Sequence, residues 1–188
     1  MHTATRYLVR VVLIGAAALC VNASCARAES IEGKYFSVTL SEGTDKLQLL
    51  EKLQARYFGQ LDTIIQDTKG SADNNIVIGG LLDALYLEVC DILDIHLYSL
   101  KIDLEVVADK QQLAAILGNY FKNPPDTPSF YFYEKNRIYI SFQDMTLGML
   151  AHEISHAIIT HYFVVPPPEK VQEVLSGYVE YAISKSPG

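Results

Sequence analysis

An α+β domain built on a small mixed sheet is the fold class this sequence predicts, and three observations carry the prediction. Short aromatic and β-branched runs occur at residues 35–40, 101–107 and 130–142. Between and after them lie longer segments whose apolar residues recur at helical spacing. The 188 residues are 49% apolar, with 12 Tyr, 7 Phe and no Trp, which is enough for one compact core and too little for two comfortable domains.

Residues 1–28 are set aside first. Arg6 and Arg10 precede the apolar run Val11 to Val21, and Ala26-Arg27-Ala28 offers a small-x-small cleavage site, the pattern of a secretory signal peptide. The run is shorter than the roughly 20 residues that span a bilayer. Neither Cys20 nor Cys25 follows the small and aliphatic residues that a lipid-modified cysteine requires. The expectation is a single domain over 29–188 in a secreted or periplasmic chain, without stable membrane insertion after cleavage. Cleavage at Ala28 leaves Cys90 as the one cysteine, so no intramolecular disulfide is expected. It also removes three positive charges and no acidic ones, taking the formal net charge from −7 to −10. That balance argues against nucleic acid or an anionic membrane surface as partner.

In order along the chain, YFSVTL at 35–40 predicts a strand and Ser41-Glu42-Gly43-Thr44 a turn. Thr44 or Asp45 can cap a helix with Leu47, Leu50, Leu53, Tyr57, Phe58 and Leu61 at core spacing, fading around Ile65 to Thr68. The polar stretch 69–75 separates it from a long central helix expected over Leu81 to about Leu100. Cys90 within that helix reads as a small buried side chain. His96 reads as an ordinary histidine or as a contact to a site built elsewhere. KIDLEVV, 101–107, alternates as a strand does, and Asp109 caps a helix of about three turns. Pro124, Pro125 and Pro128 enforce a loop. Phe130 to Tyr133 and Arg137 to Phe142 read as two strands joined by a tight turn, a hairpin that either covers the core or offers an edge to an extended peptide.

The hairpin leads into DMTLGMLAHEISHAIITHY, 144–162, and so to HEISH, His152 to His156. An i,i+4 pair of histidines lies on one helix face one turn apart, so both imidazoles can reach one metal ion. Glu153 is offset so that it can approach a metal-bound water without being a ligand, the arrangement a general base needs. Met145, Leu147, Met149, Leu150, Ile154, Ile158 and Ile159 suit a buried helix, with Asp144 or Ser141 available as cap. Two histidines satisfied within a core helix are the bland alternative.

Catalytic zinc usually takes three protein ligands. His161 is nine residues beyond His152, about 180° round a continuous helix, and faces away. Val164-Val165-Pro166-Pro167-Pro168 then makes a rigid reversal into a second helix starting near Pro168 or Glu169. Glu173 and Glu180, seven apart, share a face of that helix. Val174, Leu175, Val179 and Ile183 are expected to pack elsewhere around it, and Gly177 to allow a close helix crossing. Position favours Glu173 as third ligand. Glu180 is then the acceptor that orients a ligand histidine, or is itself the ligand.

HEISH followed by PPPEKVQEVLSGYVEY resembles the zincin metallopeptidases of the glutamate-ligand type, the gluzincins. It is most similar to the small peptidase-MA-like domains whose second motif runs roughly glutamate, glycine, leucine, alanine, any residue, tyrosine. Glu173 falls on the ligand glutamate of that motif, and Ser176 and Tyr178 on its small and aromatic positions; Val174 stands where glycine is usual. The likeness covers about residues 101–184. It implies a zincin-like fold, with the HExxH helix and the following glutamate-bearing helix holding Zn²⁺ through His152, His156 and Glu173.

The activity implied is hydrolysis of a peptide or protein substrate, with Glu153 activating the water. Larger members add a helical domain that donates a histidine or tyrosine to the oxyanion. Within these 188 residues the candidate donors are Tyr178, Tyr181, Tyr133 and His96. The alternatives are a non-catalytic zinc-containing module that binds peptides or proteins, a cell-wall amidase, and a metal-free structural domain.

Overall fold

The computed structural model describes residues 30–57 and 73–185. The expected signal peptide, and the continuation of the first helix past Tyr57 through Phe58 and Leu61 to Thr68, lie outside them. The elements are β1 (Ser30–Glu32), β2 (Phe36–Leu40), α1 (Lys46–Tyr57), α2 (Asn74–Leu93), β3 (Ile102–Val107), α3 (Lys110–Leu117), β4 (Ser129–Phe132), β5 (Arg137–Ser141), α4 (Leu147–Tyr162) and α5 (Glu169–Lys185). The chain is α+β, as expected.

The five strands form one mixed sheet in the order β1-β2-β3-β5-β4. Its three central strands are parallel, and each edge strand is antiparallel to its neighbour. Alternation sorts the strand side chains between two faces. Phe36, Val38, Ile102, Leu104, Val106, Ile138 and Ile140 enter the main core with α1, α2, α4 and α5. Val107 and Tyr139 instead pack with Leu113 and Leu117 of α3 on the opposite face. α4 thus lies on the main-core side, and its Ala151, Ile154 and Ile158 are wholly buried.

The strands at 35–40 and 101–107 and the 130–142 hairpin form nearly where the pattern puts them. A single 3-10 turn, Tyr133–Lys135, and Asn136 with φ 47° make the hairpin's reversal. Three local expectations need correction. α2 begins at Asn74 rather than Leu81, because the Asp73 side chain caps it through Asn75 N, and it ends before Asp94, which turns left-handed. Gly79 then sits inside the helix, where an added Cβ would meet the Glu32 carbonyl at 2.8 Å; the close approach of β1 requires a glycine there. α3 is capped by Asp109 as expected but spans 8 residues, closing at Gly118. The cap of α4 is Thr146, which accepts from Met149 N, while Ser141 donates to Asp144 at 2.6 Å and both are engaged with each other.

Candidate functional site

α4 and α5 are antiparallel partners joined by the proline-rich reversal at 163–168, and their crossing assembles the site. What lets them meet is Gly148 rather than Gly177. A Cβ on Gly148 would lie 2.5 Å from Ser184 Oγ and 3.2 Å from the Glu180 carbonyl oxygen. A Cβ on Gly177 would meet nothing within 4 Å, so the expected role of that glycine is transferred to Gly148. Ser176, Val179 and Ile183 turn inward, whereas Val174 is 71% exposed, contrary to its expected packing.

His152 and His156 project from one face of α4, with their Nε2 atoms 3.2 Å apart. Glu173 reaches across from the second turn of α5, its Oε1 at 3.2 Å from His156 Nε2 and its Oε2 at 3.5 Å from His152 Nε2. The three residues offer ligand atoms within 4.8 Å of one another and could hold a metal ion. Glu180, one face-repeat further on, meets the other side of His152: its Oε2 is 3.1 Å from Nδ1.

Gln172 was not singled out in the sequence, and it does for His156 what Glu180 does for His152. Its Nε2 donates to the Pro167 carbonyl at 2.8 Å, which turns Oε1 toward His156 Nδ1 at 3.4 Å. Both Nδ1 atoms therefore face acceptors, assigning the imidazole protons to Nδ1 and leaving lone pairs on the two Nε2 atoms. Gln172 immediately precedes the candidate ligand, and that adjacency is the signal that could have found it.

Glu153 is buried, and Ser129 of β4 donates its hydroxyl to Oε1 at 2.7 Å. Burial pushes the Glu153 carboxyl above its ordinary range, against the opposing pull of the Ser129 hydroxyl, nearby His156 and a backbone bond from Tyr131. Ser129 is the second residue the sequence reading missed; only the pairing of β4 with α4 brings it here.

His152, Glu153, His156 and Glu173 all line one cleft of about 560 Å³, whose far wall is β4 with Tyr131 and Tyr133. Of the four candidate oxyanion donors, Tyr133 lines this cleft and Tyr178, Tyr181 and His96 do not. His96 stacks on Tyr98 beyond the end of α2, beside Asp91 and Asp94. His161 is turned from the pair, as the helix count requires, and its Nδ1 lies 3.2 Å from the Tyr131 hydroxyl. Cys90 is buried in α2.

Comparison with protein-family models, with curated proteins and with solved structures finds no significant match. The functional reading therefore stands on the residues themselves.

Proposed function

We propose that the chain is a zinc-dependent hydrolase of peptide bonds, a zincin-like domain of the glutamate-ligand type acting in an exported compartment on a peptide or protein substrate. The observation that carries this reading is the spacing of three donors. Tetrahedral ligands at about 2.0–2.1 Å from zinc stand about 3.3 Å apart; the two Nε2 atoms are 3.2 Å apart, Glu173 brings a different oxygen to each, Oε1 at 3.2 Å from His156 and Oε2 at 3.5 Å from His152, and one ligand atom from each residue lies within 4.8 Å of the others. The donor chemistry agrees. Two imidazole lone pairs and a carboxylate converge with no proton between them, an arrangement that a divalent cation accepting nitrogen and oxygen ligands satisfies.

His152, His156 and Glu173 would hold the ion, with Glu180 and Gln172 fixing the two rings. When bound, Zn²⁺ supplies Lewis acidity and lowers the pKa of a coordinated water to about 7. Glu153 takes the proton of the attacking water and hands it to the departing amine. Ser129 donates to one carboxylate oxygen, Oε1, and so fixes how the carboxylate is presented. β4 pairs with β5 on one side and is an edge strand of the sheet, so an extended substrate can run along it past Glu153. Tyr133, which of the four expected donors is the one lining the cleft, would serve a developing oxyanion.

The deciding measurement is zinc content per chain in the parent, in Glu173→Ala and in Glu153→Gln, followed by cleavage of a mixed peptide library. The expected result is about one zinc in the parent, a large loss in Glu173→Ala, and full zinc without turnover in Glu153→Gln. Zinc kept fully by Glu173→Ala would move the third ligand to Glu180. A parent that takes up no zinc when supplied with it would end the hydrolase reading. A zinc-loaded parent that binds peptides without cutting them would leave the binding-module alternative.

A further inference from the structure

The cleft continues past the metal donors toward the proline turn. One helical turn after His156, α4 places Thr160 in its lining, and one turn before Glu173, α5 places Glu169 there. The two helices are antiparallel, so both steps lead to the same end of the cleft, where Pro166 joins them. Tyr131 and Tyr133 wall the opposite side of this end. The Tyr131 hydroxyl lies 3.2 Å from His161 Nδ1, and the Tyr133 ring centroid is 5.8 Å from that of the His161 ring.

Glu169 is the carboxylate of this end. Among the described residues no hydrogen bond or ion pair engages it, and none of those lining the cleft is Lys or Arg. Glu153 and Glu173 face the metal position, and the two charges of a bound Zn²⁺ would balance theirs. Glu169 is left over with the ion or without it. It also stands in the first turn of α5, where a carboxylate favours the helix N-terminus. That role accounts for an acid in the turn and has no bearing on what the cleft selects.

We propose that this end of the cleft is a subsite for a basic side chain and that Glu169 selects it. The proposal rests on the cleft being the peptide site, and it names the substrate class: peptides with Lys or Arg beside the scissile bond. Both residues carry an apolar stem and a charged head. The stem suits the walls of Pro166 and the two tyrosine rings, whose faces also attract a cation. The head suits Glu169. Helix neighbours at i and i+4 stand about 5–6 Å apart, so a side chain that starts beside Glu173 reaches Glu169 along the four-carbon stem of a lysine. Other side chains fare worse there. An acidic one meets like charge, and an apolar one draws Glu169 out of water with no partner.

The test is binding rather than turnover. Short fluorescent alanine-based peptides, carrying Lys, norleucine or Glu at each position in turn, are titrated with the full chain as Glu153→Gln in zinc-supplied buffer and followed by anisotropy. The same titrations are run with Glu169→Gln added, and with Glu51→Gln added instead. Glu51 is exposed on α1, so its loss removes an equal charge elsewhere and controls for the general pull of a chain of formal charge −7 on any basic peptide. Expected at one position is about tenfold tighter binding of Lys than of norleucine, with Glu weakest and the preference shrinking as salt is added. Glu169→Gln should abolish the preference while keeping the norleucine affinity and a folded Tm, and Glu51→Gln should leave it in place. No position at which Lys exceeds norleucine, absence of all binding included, or a preference that survives Glu169→Gln, overturns the proposal. Failure of the hydrolase reading is distinct: a zinc-loaded parent that shows the Lys preference and cuts nothing would lose that reading and keep the subsite.

Discussion

Replacing Gly148 with alanine sets helix propensity against packing at the crossing that builds the site. In an open helix the change would gain about 1 kcal/mol. Here the new methyl would lie 2.5 Å from Ser184 Oγ and 3.2 Å from both Glu180 Cγ and the Glu180 carbonyl oxygen. Ser184 is exposed and its hydroxyl can turn away. The Glu180 carbonyl is helix backbone, so α5 itself must shift by a few tenths of an ångström. Overpacking of this kind costs about 1–3 kcal/mol, which leaves a net destabilisation of about 0–2 kcal/mol after the propensity gain. The site should feel it more. Glu180 is the residue displaced, and its carboxylate orients His152. Loss of such an orienting partner typically weakens metal binding about 10–100-fold, so a drop of about tenfold is expected. Zinc competition against a chromogenic chelator, beside thermal unfolding of the metal-free protein, reads both quantities. Gly177→Ala is the control, since its methyl meets nothing within 4 Å; it should raise stability by about 1 kcal/mol and leave zinc affinity alone. If Gly148→Ala behaved like that control, the close crossing and the reasoning built on it would be refuted.

Removing the orienting groups singly should grade the same effect. Glu180→Ala is expected to lower zinc affinity by about 10–100-fold. Gln172→Ala should lower it by less, because a neutral amide at 3.4 Å supports its ring more weakly than a carboxylate at 3.1 Å; the reverse order in a chelator competition would contradict the assignment. Thr146→Ala removes the α4 cap bond to Met149 N and should cost about 1 kcal/mol in urea unfolding, whereas Asp144→Ala should leave that cap intact. Asp83 ties the β1–β2 turn to α2 by accepting from Lys34 N and Tyr35 N at 2.7 and 2.8 Å. Burial, the largest cause, holds its carboxyl above the ordinary aspartate range in spite of those bonds. A folded pKa above the unfolded one means that the folded state binds this proton more tightly. The contribution of Asp83 to stability is therefore fullest on the acid side and falls as pH rises through the folded value. Unfolding of the parent and Asp83→Asn should show the parent gaining on the variant between neutral and acid pH, and a parent that instead lost ground in acid would reverse the sign of the argument.

Much of the site is local, and local geometry is legible in a sequence. The i,i+4 rule placed His152 and His156 on one face of α4, the nine-residue count turned His161 away, and the seven-residue count put Glu173 and Glu180 on one face of α5. Strand alternation sorted Ile102, Leu104 and Val106 from Val107 without reference to any partner. Where periodicity competed with capping chemistry it misled. Leu81 opens the strongest leucine run, but the cap at Asp73 starts the helix about two turns earlier. Gly79 and Gly80, both poor helix formers, lie between the two and hid that start.

What the sequence by itself determined is therefore the set of groups each element presents: a histidine pair with an adjacent carboxylate on one helix, two carboxylates on the next, and a stiff proline turn between them. Which groups meet was decided by tertiary structure. That Glu173 faces the inner nitrogens while Glu180 takes an outer one depends on where α5 crosses α4, and the crossing point is set by Gly148, not Gly177. That Ser129 grips Glu153 depends on β4 being the edge strand beside α4, a matter of sheet order. The physical reason is common to both. Helical and strand periods fix directions within one element, whereas contact between elements depends on crossing distance and strand order, which are settled by packing over the whole core.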